Sequence, residues 1–398
     1  MIRAPLRGPA AAVAGAVLAL GTVAFFRVAL LPGIGHDLSL RPGLLSLVTV
    51  AFGVGRLLTD LPAGRAADRI APLAAFAVSA AGLAVASVLL ALAHSLGALL
   101  VAAAVLGIAS ATTNTTGMAY FSHAPREKRG KSLATFSGAL LGGQALGPAL
   151  AGVISGAAGW RVAEGTGAAV AGFVAIGCVV GGRAAARPRA ARATLGAAGD
   201  DGRIAAVQLG LLYLVSFAVF FALGAMPQTL LPLIGARGYG LSVGVIGVAL
   251  GIGGICRFAG AAVGGVVADR VSRKAALVPA LLAMGGGAAL LEVPGGVAVW
   301  LAAVVLLSLG SFGGTVAATV LGDLGGGRRV GRRLGVYRFA GDLGLIAGPL
   351  VAGWLYDAVG TGAAVAAVTG VLGGCALVVA AALRETRHGP ATVVLEGV

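Results

Sequence analysis

The chain has 398 residues, of which 58% are apolar and only 11% are charged, and its mean hydropathy is +0.99. This composition excludes a soluble globular protein and predicts a polytopic membrane protein. The formal net charge of +15 does not indicate a nucleic-acid partner, because the basic residues lie between apolar stretches and not on one soluble domain.

Apolar stretches long enough to cross a bilayer as helices, roughly 20 residues each, follow one another along the whole chain. The predicted fold class is therefore all-α, with about twelve transmembrane helices. We place these spans near residues 10–32, 43–63, 71–93, 97–119, 132–157, 163–183, 204–233, 242–268, 275–292, 296–321, 333–357 and 361–383.

Two motifs recur at one constant spacing of 201 residues. The segment RLLTDLPAGRAADR at 56–69 matches RFAGAAVGGVVADR at 257–270, and GQALGPALAG at 143–152 matches GLIAGPLVAG at 344–353. A shared spacing indicates a duplicated half. We therefore predict an N-terminal bundle at 1–183, a cytoplasmic linker at 184–203, a C-terminal bundle at 204–385 and a short cytoplasmic tail at 386–398.

Both motifs resemble signatures of the major facilitator superfamily of membrane transporters. The GxxxDR sequence, here Gly64 to Arg69 and Gly265 to Arg270, resembles the motif of that family in the loop after the second helix of each half. The GxxxGPxxAG sequence resembles its fifth-helix motif, which is often seen in drug/proton antiporters. The resemblance implies two pseudo-symmetric six-helix bundles around a central cavity, working by alternating access.

The basic residues predict the orientation of the chain. Lys and Arg lie mainly in the segments on the side of the two termini, whereas the loops on the other side hold only Arg41, Arg161 and Arg237. By the positive-inside rule, both termini are then cytoplasmic, in a multi-pass protein of the cytoplasmic membrane.

The resemblance also assigns a cytoplasmic gate to the loops after the second and eighth spans. In the family, the motif aspartate contacts the N-terminus of a helix in the opposite half, so Asp68 would meet the helix near Arg333 and Asp269 the helix near Ser132. The alternative is that these charges are solvated and only fix topology. The predicted gate residues are Gly64, Asp68, Arg69, Gly265, Asp269 and Arg270.

Charged residues inside the spans form a second set of candidates. Arg56 and Asp60 lie four residues apart on the second span, and Arg338 and Asp342 lie four apart on the eleventh, so each pair shares a helix face. Charges at membrane depth are costly unless they are paired or hydrated, which favours a gate or a proton path. Structural ion pairs near the cytoplasmic ends are the alternative.

Polar residues late in the first span and within the fourth span predict a substrate cavity. Arg27 can face this cavity with Gln228 opposite it on the seventh span, or it can extend to the headgroups at the outer surface. Asn114 lies in a polar run of the fourth span and corresponds to Thr315 in the repeat. Gln144 adds a polar group on the fifth span.

The glycines and prolines of the fifth-helix motif predict close helix packing. Small residues thin a membrane helix and proline bends it, so we expect these positions to pack the two halves against each other. They are Gly143, Gly147 and Pro148 in the first half and Gly344, Gly348 and Pro349 in the second.

The expected function is secondary transport of a small molecule across the lipid bilayer. We find no catalytic motif, metal site or cofactor signature, and the three cysteines lack metal-binding spacing. The favoured interpretation is efflux of an amphipathic, drug-like compound by a monomer, with protons as a coupled partner. Uptake or facilitated transport of a polar or anionic metabolite is the alternative, and a sensor or scaffold without transport is a remote one.

Overall fold

The computed structural model describes residues 9–67, 71–122, 124, 126–182, 202–323 and 330–384. All regular elements in these ranges are helices. A π-helical turn at Met226–Leu230 and a 3-10 turn at Leu290–Glu292 accompany the α-helices. The α-helices are Pro9–Asp37, Pro42–Ala67, Pro72–Ala91, Leu96–Ser122, Arg126–Ala158, Trp160–Gly182, Gly202–Ala225, Leu231–Tyr239, Val243–Arg270, Arg273–Ala289, Gly296–Gly310, Gly313–Asp323, Val330–Ala358 and Thr361–Ala382.

These helices form twelve segments that are long and apolar enough to span a membrane, which confirms the predicted fold class. The seventh span continues through the π turn to Tyr239, and the first continues to Asp37, beyond the ends predicted at 233 and 32. With twelve spans, both termini lie on one side of the bilayer, here called the termini side, and the opposite side is called the far side. The predicted linker, apart from residues 202 and 203, and the tail at 386–398 lie outside the described residues.

Equivalent helices of the two halves begin at equivalent residues, but the free backbone N–H groups of their first turns are accommodated in different ways. In the first half, Pro42 and Pro72 open the second and third spans, where proline lacks the N–H that would be unsatisfied. In the second half, Ser242 and Ser272 cap the eighth and ninth spans by accepting hydrogen bonds from the backbone three residues on. The duplicated architecture therefore does not require duplicated capping residues.

Each half has its own hydrophobic core. One cluster of buried side chains is drawn mainly from residues 13–178 and the other mainly from residues 211–383. Large apolar side chains on the outer spans, such as Phe173 and Leu377, are exposed in the protein alone and form the surface that meets lipid.

The first two glycines of each fifth-helix motif pack within one half, which corrects the expectation that they pack between the halves. A Cβ on Gly143 or Gly147 would collide with the backbone of the first span at Leu18 and Thr22. In the second half, Gly344 and Gly348 meet the seventh span in the same way, at the backbone of Phe217 and Phe221. These positions let two helices of the same bundle touch backbone to backbone.

The last glycine of each motif makes the contact between halves. Gly152 on the fifth span lies against Gly247 on the eighth, and Gly353 on the eleventh lies against Ser46 on the second. Gly152 and Gly353 are repeat mates, as are Ser46 and Gly247. The two interfaces are therefore related by the pseudo-twofold axis, and both lie toward the far side.

The fifth and eighth spans separate toward the termini side. Gly138 lies two helical turns before Ala145 on the fifth span, and Gly265 lies three turns after Gly254 on the eighth. Both glycines therefore lie on the same helix face as the residues that make the far-side contact. Gly254 meets Ala145, yet a Cβ on Gly138 or Gly265 would have no atom within 4 Å. The halves are thus closed on the far side and apart between these two spans on the termini side.

Candidate functional site

A hydrogen-bond network around Arg27 joins the two halves inside the membrane region. Arg27 has no exposed surface. Its Nη2 donates to Gln228 Oε1 at 2.8 Å, and its Nη1 donates to Thr49 Oγ1 at 3.2 Å. Thr49 Oγ1 in turn donates to the backbone oxygen of Gln228 at 3.2 Å. The guanidinium lies 4.0 Å from the ring centroid of Phe52, a cation–π contact.

Arg27 and Gln228 are repeat mates, separated by 201 residues, and they touch each other. Two symmetry-related side chains can meet only if both lie beside the pseudo-twofold axis. The structure therefore places this pair at the centre of the interface between halves. Gln228 sits in the π-helical turn of the seventh span, and such turns are frequent at functional sites.

The position of Arg27 rules out the alternative in which it extends to the headgroups. The first helix ends at Asp37, ten residues beyond Arg27, so the side chain lies roughly 15 Å below the far-side end and not close to it. Its complete burial leaves no path to a headgroup. Arg27 instead faces the opposite half, where Gln228 accepts its hydrogen bond.

The intramembrane carboxylate of the eleventh span pairs across the interface. Arg56 Nε lies 3.5 Å from Asp342 Oδ1, and the two side chains are 13% and 5% exposed. Arg338 reaches in the other direction and donates to Met118 Sδ on the fourth span at 3.8 Å. Spacing along the sequence predicted pairs on one helix, whereas Arg56 and Arg338 contact the opposite half. The side chain of Asp60 lies outside the described residues.

Arg257, the repeat mate of Arg56, makes the corresponding contact on the other side of the axis. Its Nη1 donates to Gln144 Oε1 on the fifth span at 3.2 Å. Each arginine thus crosses to the motif-bearing helix of the opposite half, but Arg56 meets a carboxylate and Arg257 a neutral amide. Among the described contacts between the halves, Arg257 therefore meets no carboxylate.

The polar run of the fourth span lies partly buried and only partly satisfied. Asn114 Oδ1 and Thr115 Oγ1 are both inaccessible to solvent and accept no hydrogen bond. Thr113 Oγ1 contacts Ser79 on the third span and Ala109 of its own helix, so it serves packing. Thr315, the repeat mate of Asn114, is exposed. Asn114 and Thr315 remain candidates for substrate contact.

The predicted cytoplasmic gate is described only in its second copy. Asp68 and Arg69 lie outside the described residues, as do the surroundings of Gly64. Asp269 Oδ1 accepts from Arg273 Nη1 at 2.6 Å, an ion pair four residues along the chain, and Asp269 is 68% exposed. Gly265 has open space around it, and Arg270 is exposed. The contact expected between Asp269 and the fifth helix stays a prediction.

Two residues of the site were missed in the sequence. Thr49 carried no signal, because a single threonine in an apolar span ordinarily bonds to its own helix. Glu164 carried a clear one, since a carboxylate within a membrane span is costly and rare. Glu164 is 1% exposed, and its Oε1 makes no hydrogen bond. Across the described ranges, no group of His, Cys, Asp and Glu could hold a metal ion.

Comparison with known proteins gives matches at the level of family and fold. A sequence model of the Major Facilitator Superfamily matches residues 12–259 and 209–396. No curated protein matches the chain.

Several solved structures share the fold. A bacterial homolog of the human lysosomal transporter Spinster, inward-facing and occupied, superposes with a TM-score of 0.73 at 15% identity, covering 94% of this chain and 93% of that chain. A D-xylose–proton symporter gives a TM-score of 0.74 at 14% identity, with 95% and 98% covered. The human organic anion transporter MFSD10 (TETRAN) gives 0.64 at 18% identity, with 94% and 100% covered. At these identities, the likeness shows the fold alone.

Replacing Thr49 with valine tests whether the Arg27 network holds the far side closed. Thr49→Val removes, at nearly constant volume, the hydrogen bonds that join Thr49 to the Gln228 carbonyl and the Thr229 hydroxyl of the opposite half. Each of these bonds contributes about 0.5–1.5 kcal/mol to closed-state stability. Spin labels at Ala158 and Val359, both exposed on the far side in opposite halves, report the opening. We expect a longer distance between the labels in Thr49→Val, measured by double electron–electron resonance.

Thr22→Val is the matched control, because the described hydrogen bond of the Thr22 hydroxyl is to Leu18 of its own helix. Its label distance should equal that of the parent protein. Equal distances in Thr49→Val and Thr22→Val would show that the network does not govern closure.

Proposed function

Because the chain belongs to the Major Facilitator Superfamily and is therefore a membrane transporter that works by alternating access, we propose that its substrate is a small anionic molecule. The observation that carries this proposal is the charge of the interface between halves. Four arginines make contacts between the halves. Arg56 forms an ion pair with Asp342, and Glu164 attracts Arg27 from within its own half. The described contacts of Arg257 and Arg338 include no carboxylate.

Unpaired positive charge at membrane depth is expensive, so its presence calls for a function. A substrate with a carboxylate, phosphate or similar group would supply the missing negative charge when the halves separate. Guanidinium binds such groups through two parallel hydrogen bonds, which adds geometric selectivity to the attraction.

Arg257 is the strongest candidate for direct substrate contact. A guanidinium has five N–H donors, and the described contacts of Arg257 use one of them, toward Gln144. Arg257 also lies on the eighth span between Gly254, where the halves touch, and Gly265, where they are apart. A solute that enters from the termini side would therefore reach Arg257 first and Arg27 only after further opening.

We further propose that the termini side is cytoplasmic and that the protein belongs to the cytoplasmic membrane. The Lys and Arg bias of the loops supports this orientation. The described state is then closed to the outside and loads its substrate from the cytoplasm, which is compatible with export. The fifth-helix motif, similar to that of exporters, favours the same direction. The fold accommodates such cargo, since a human organic anion transporter shares it.

Arg257→Gln tests the anion proposal by ligand stabilisation of the purified protein. The panel contains mono- and dicarboxylates, phosphate and nitrate, each paired with an uncharged analogue. We expect some of the anions to raise the Tm of the parent protein and their analogues to have no effect. In Arg257→Gln, the affinity for these anions should fall roughly 10- to 100-fold. The reason is the loss of one hydrogen bond to a charged group, which is worth about 1.5–3 kcal/mol.

Arg41→Gln is the control, since Arg41 is exposed on the far side and its loss changes the net charge equally. Its anion affinities should match those of the parent protein. The anion proposal fails if no anion stabilises the parent protein, or if Arg257→Gln and Arg41→Gln bind the anions equally well.

A second candidate is proton-coupled export of an amphipathic compound. The specific observation in its favour is Asp342, a carboxylate 5% exposed that meets Arg56 across the interface. Protonation of Asp342 would dissolve this ion pair and change the attraction between halves, which is how a proton gradient can bias alternating access.

Asp342→Asn in proteoliposomes that contain the pH dye pyranine tests this second candidate. Adding amphipathic amines, or the anions found above, to the parent protein should shift the lumenal pH beyond the shift seen in protein-free liposomes, because proton movement accompanies transport. The shift should vanish in Asp342→Asn. It should persist in Glu292→Gln, which removes an exposed carboxylate. A shift of full size in Asp342→Asn, or none in the parent protein with any compound, would eliminate Asp342 as the coupling group.

A further inference from the structure

Glu164 on the sixth span is a buried carboxylate that neither the interface nor the repeated motifs explain. Only 1% of its surface is exposed, and Oε1 accepts no hydrogen bond. The Ser87 hydroxyl on the third span is a polar neighbour of this carboxylate. An unsatisfied carboxylate in a membrane bundle costs several kcal/mol, so a purely structural residue at this position would be apolar.

The packing of the first and sixth spans places Glu164 near the level of Arg27. These spans run antiparallel, with Gly167 beside Phe26 and Gly33 beside Trp160. Glu164 therefore lies opposite the helical turn that follows Arg27. No direct ion pair joins Glu164 and Arg27 among the described contacts, but their opposite charges attract each other through space.

No other charge competes for Glu164 at this depth. The third span has no ionisable residue between 72 and 91, and the fifth span has none between Lys131 and Ala158. On the first span the remaining ionisable groups are His36 and Asp37, at the far-side end. Arg161, on the sixth span itself, is paired with Asp37 at 3.1 Å. Among the spans packed against the sixth, Arg27 is thus the charge that Glu164 faces.

We propose that Glu164 is a proton-binding site whose occupancy controls the contact between Arg27 and Gln228. Arginine remains protonated in proteins, so Arg27 keeps its charge at every stage of the cycle. Ionised Glu164 compensates that charge from within the same half, while Arg27 donates its hydrogen bond to Gln228 of the opposite half. When Glu164 binds a proton, Arg27 becomes an uncompensated buried cation, and hydration through opening of the far side lowers its free energy.

The direction of the effect follows from this charge balance. Deprotonated Glu164 favours the closed far side, and protonated Glu164 favours the open one. Opening also gives the carboxylate access to water, through which the proton is exchanged. The inference concerns conformation and does not depend on the transported compound, so its failure would leave the anion proposal intact.

Glu164→Gln tests the proposal because glutamine mimics the protonated side chain in shape and charge. The label pair at Ala158 and Val359 is used in lipid nanodiscs, with Cys178, Cys256 and Cys375 replaced. In the parent protein, acidification should lengthen the distance between labels. Glu164→Gln should show the long distance at every pH, with an open-to-closed ratio raised roughly 5- to 150-fold. Glu292→Gln, which removes an exposed carboxylate, should respond to pH like the parent protein.

Arg27→Gln provides an independent arm that does not require Glu164→Gln to fold. Without the arginine, Glu164 has no buried cation to compensate, so the label distance should no longer respond to pH. The proposal is overturned if the parent protein shows no response to pH, or if either Glu164→Gln or Arg27→Gln keeps the response of the parent protein. Monodisperse size-exclusion profiles establish which variants are folded.

Discussion

Arg27 carries its charge without access to water, and the hydrogen bond to Gln228 that helps to stabilise it can form only while the two halves touch. This constraint links electrostatics to conformation. Separating the halves on the far side exchanges this bond for water, whereas closing them restores it. A side chain on the pseudo-twofold axis is well suited to this role, because both halves contribute to its environment.

Around this centre, the duplicated halves use the same positions for different purposes. Gly152 and Gly353 close the two far-side interfaces in the same way, so backbone packing preserves the symmetry. Arg56 and Arg257 break it, since one meets the carboxylate of Asp342 and the other the amide of Gln144. Packing is therefore common to both halves, while charge distinguishes them.

The sequence predicted the spans and the duplicated halves, because apolar length and a repeat of constant spacing depend on local composition alone. It did not predict which half Gly143 and Gly353 pack against, since a glycine shows that a helix is thin but not what approaches it. Arg27 and Gln228 could be named as candidates from the repeat. Only the burial of Arg27 in the structure decided whether its side chain faces the interface between halves or extends to the headgroups. Arg56 was paired with a neighbour on its own helix, because its partner Asp342 is distant in sequence. Glu164 was detectable and was overlooked.

Cysteine cross-linking between the fifth and eighth spans tests most directly whether the halves are closed on the far side and apart on the termini side. A Cβ at Gly156 would lie 3.9 Å from the Cα of Gly244, a separation that a disulfide can bridge. In a background without native cysteines, and with free thiols counted by PEG-maleimide, Gly156→Cys with Gly244→Cys should cross-link on mild oxidation. Ala134→Cys with Gly265→Cys, in the same register on the same two helices at the termini side, should remain reduced, since no atom lies within 4 Å of a Cβ at Gly265. The reverse pattern, with cross-linking on the termini side and free thiols on the far side, would contradict the account.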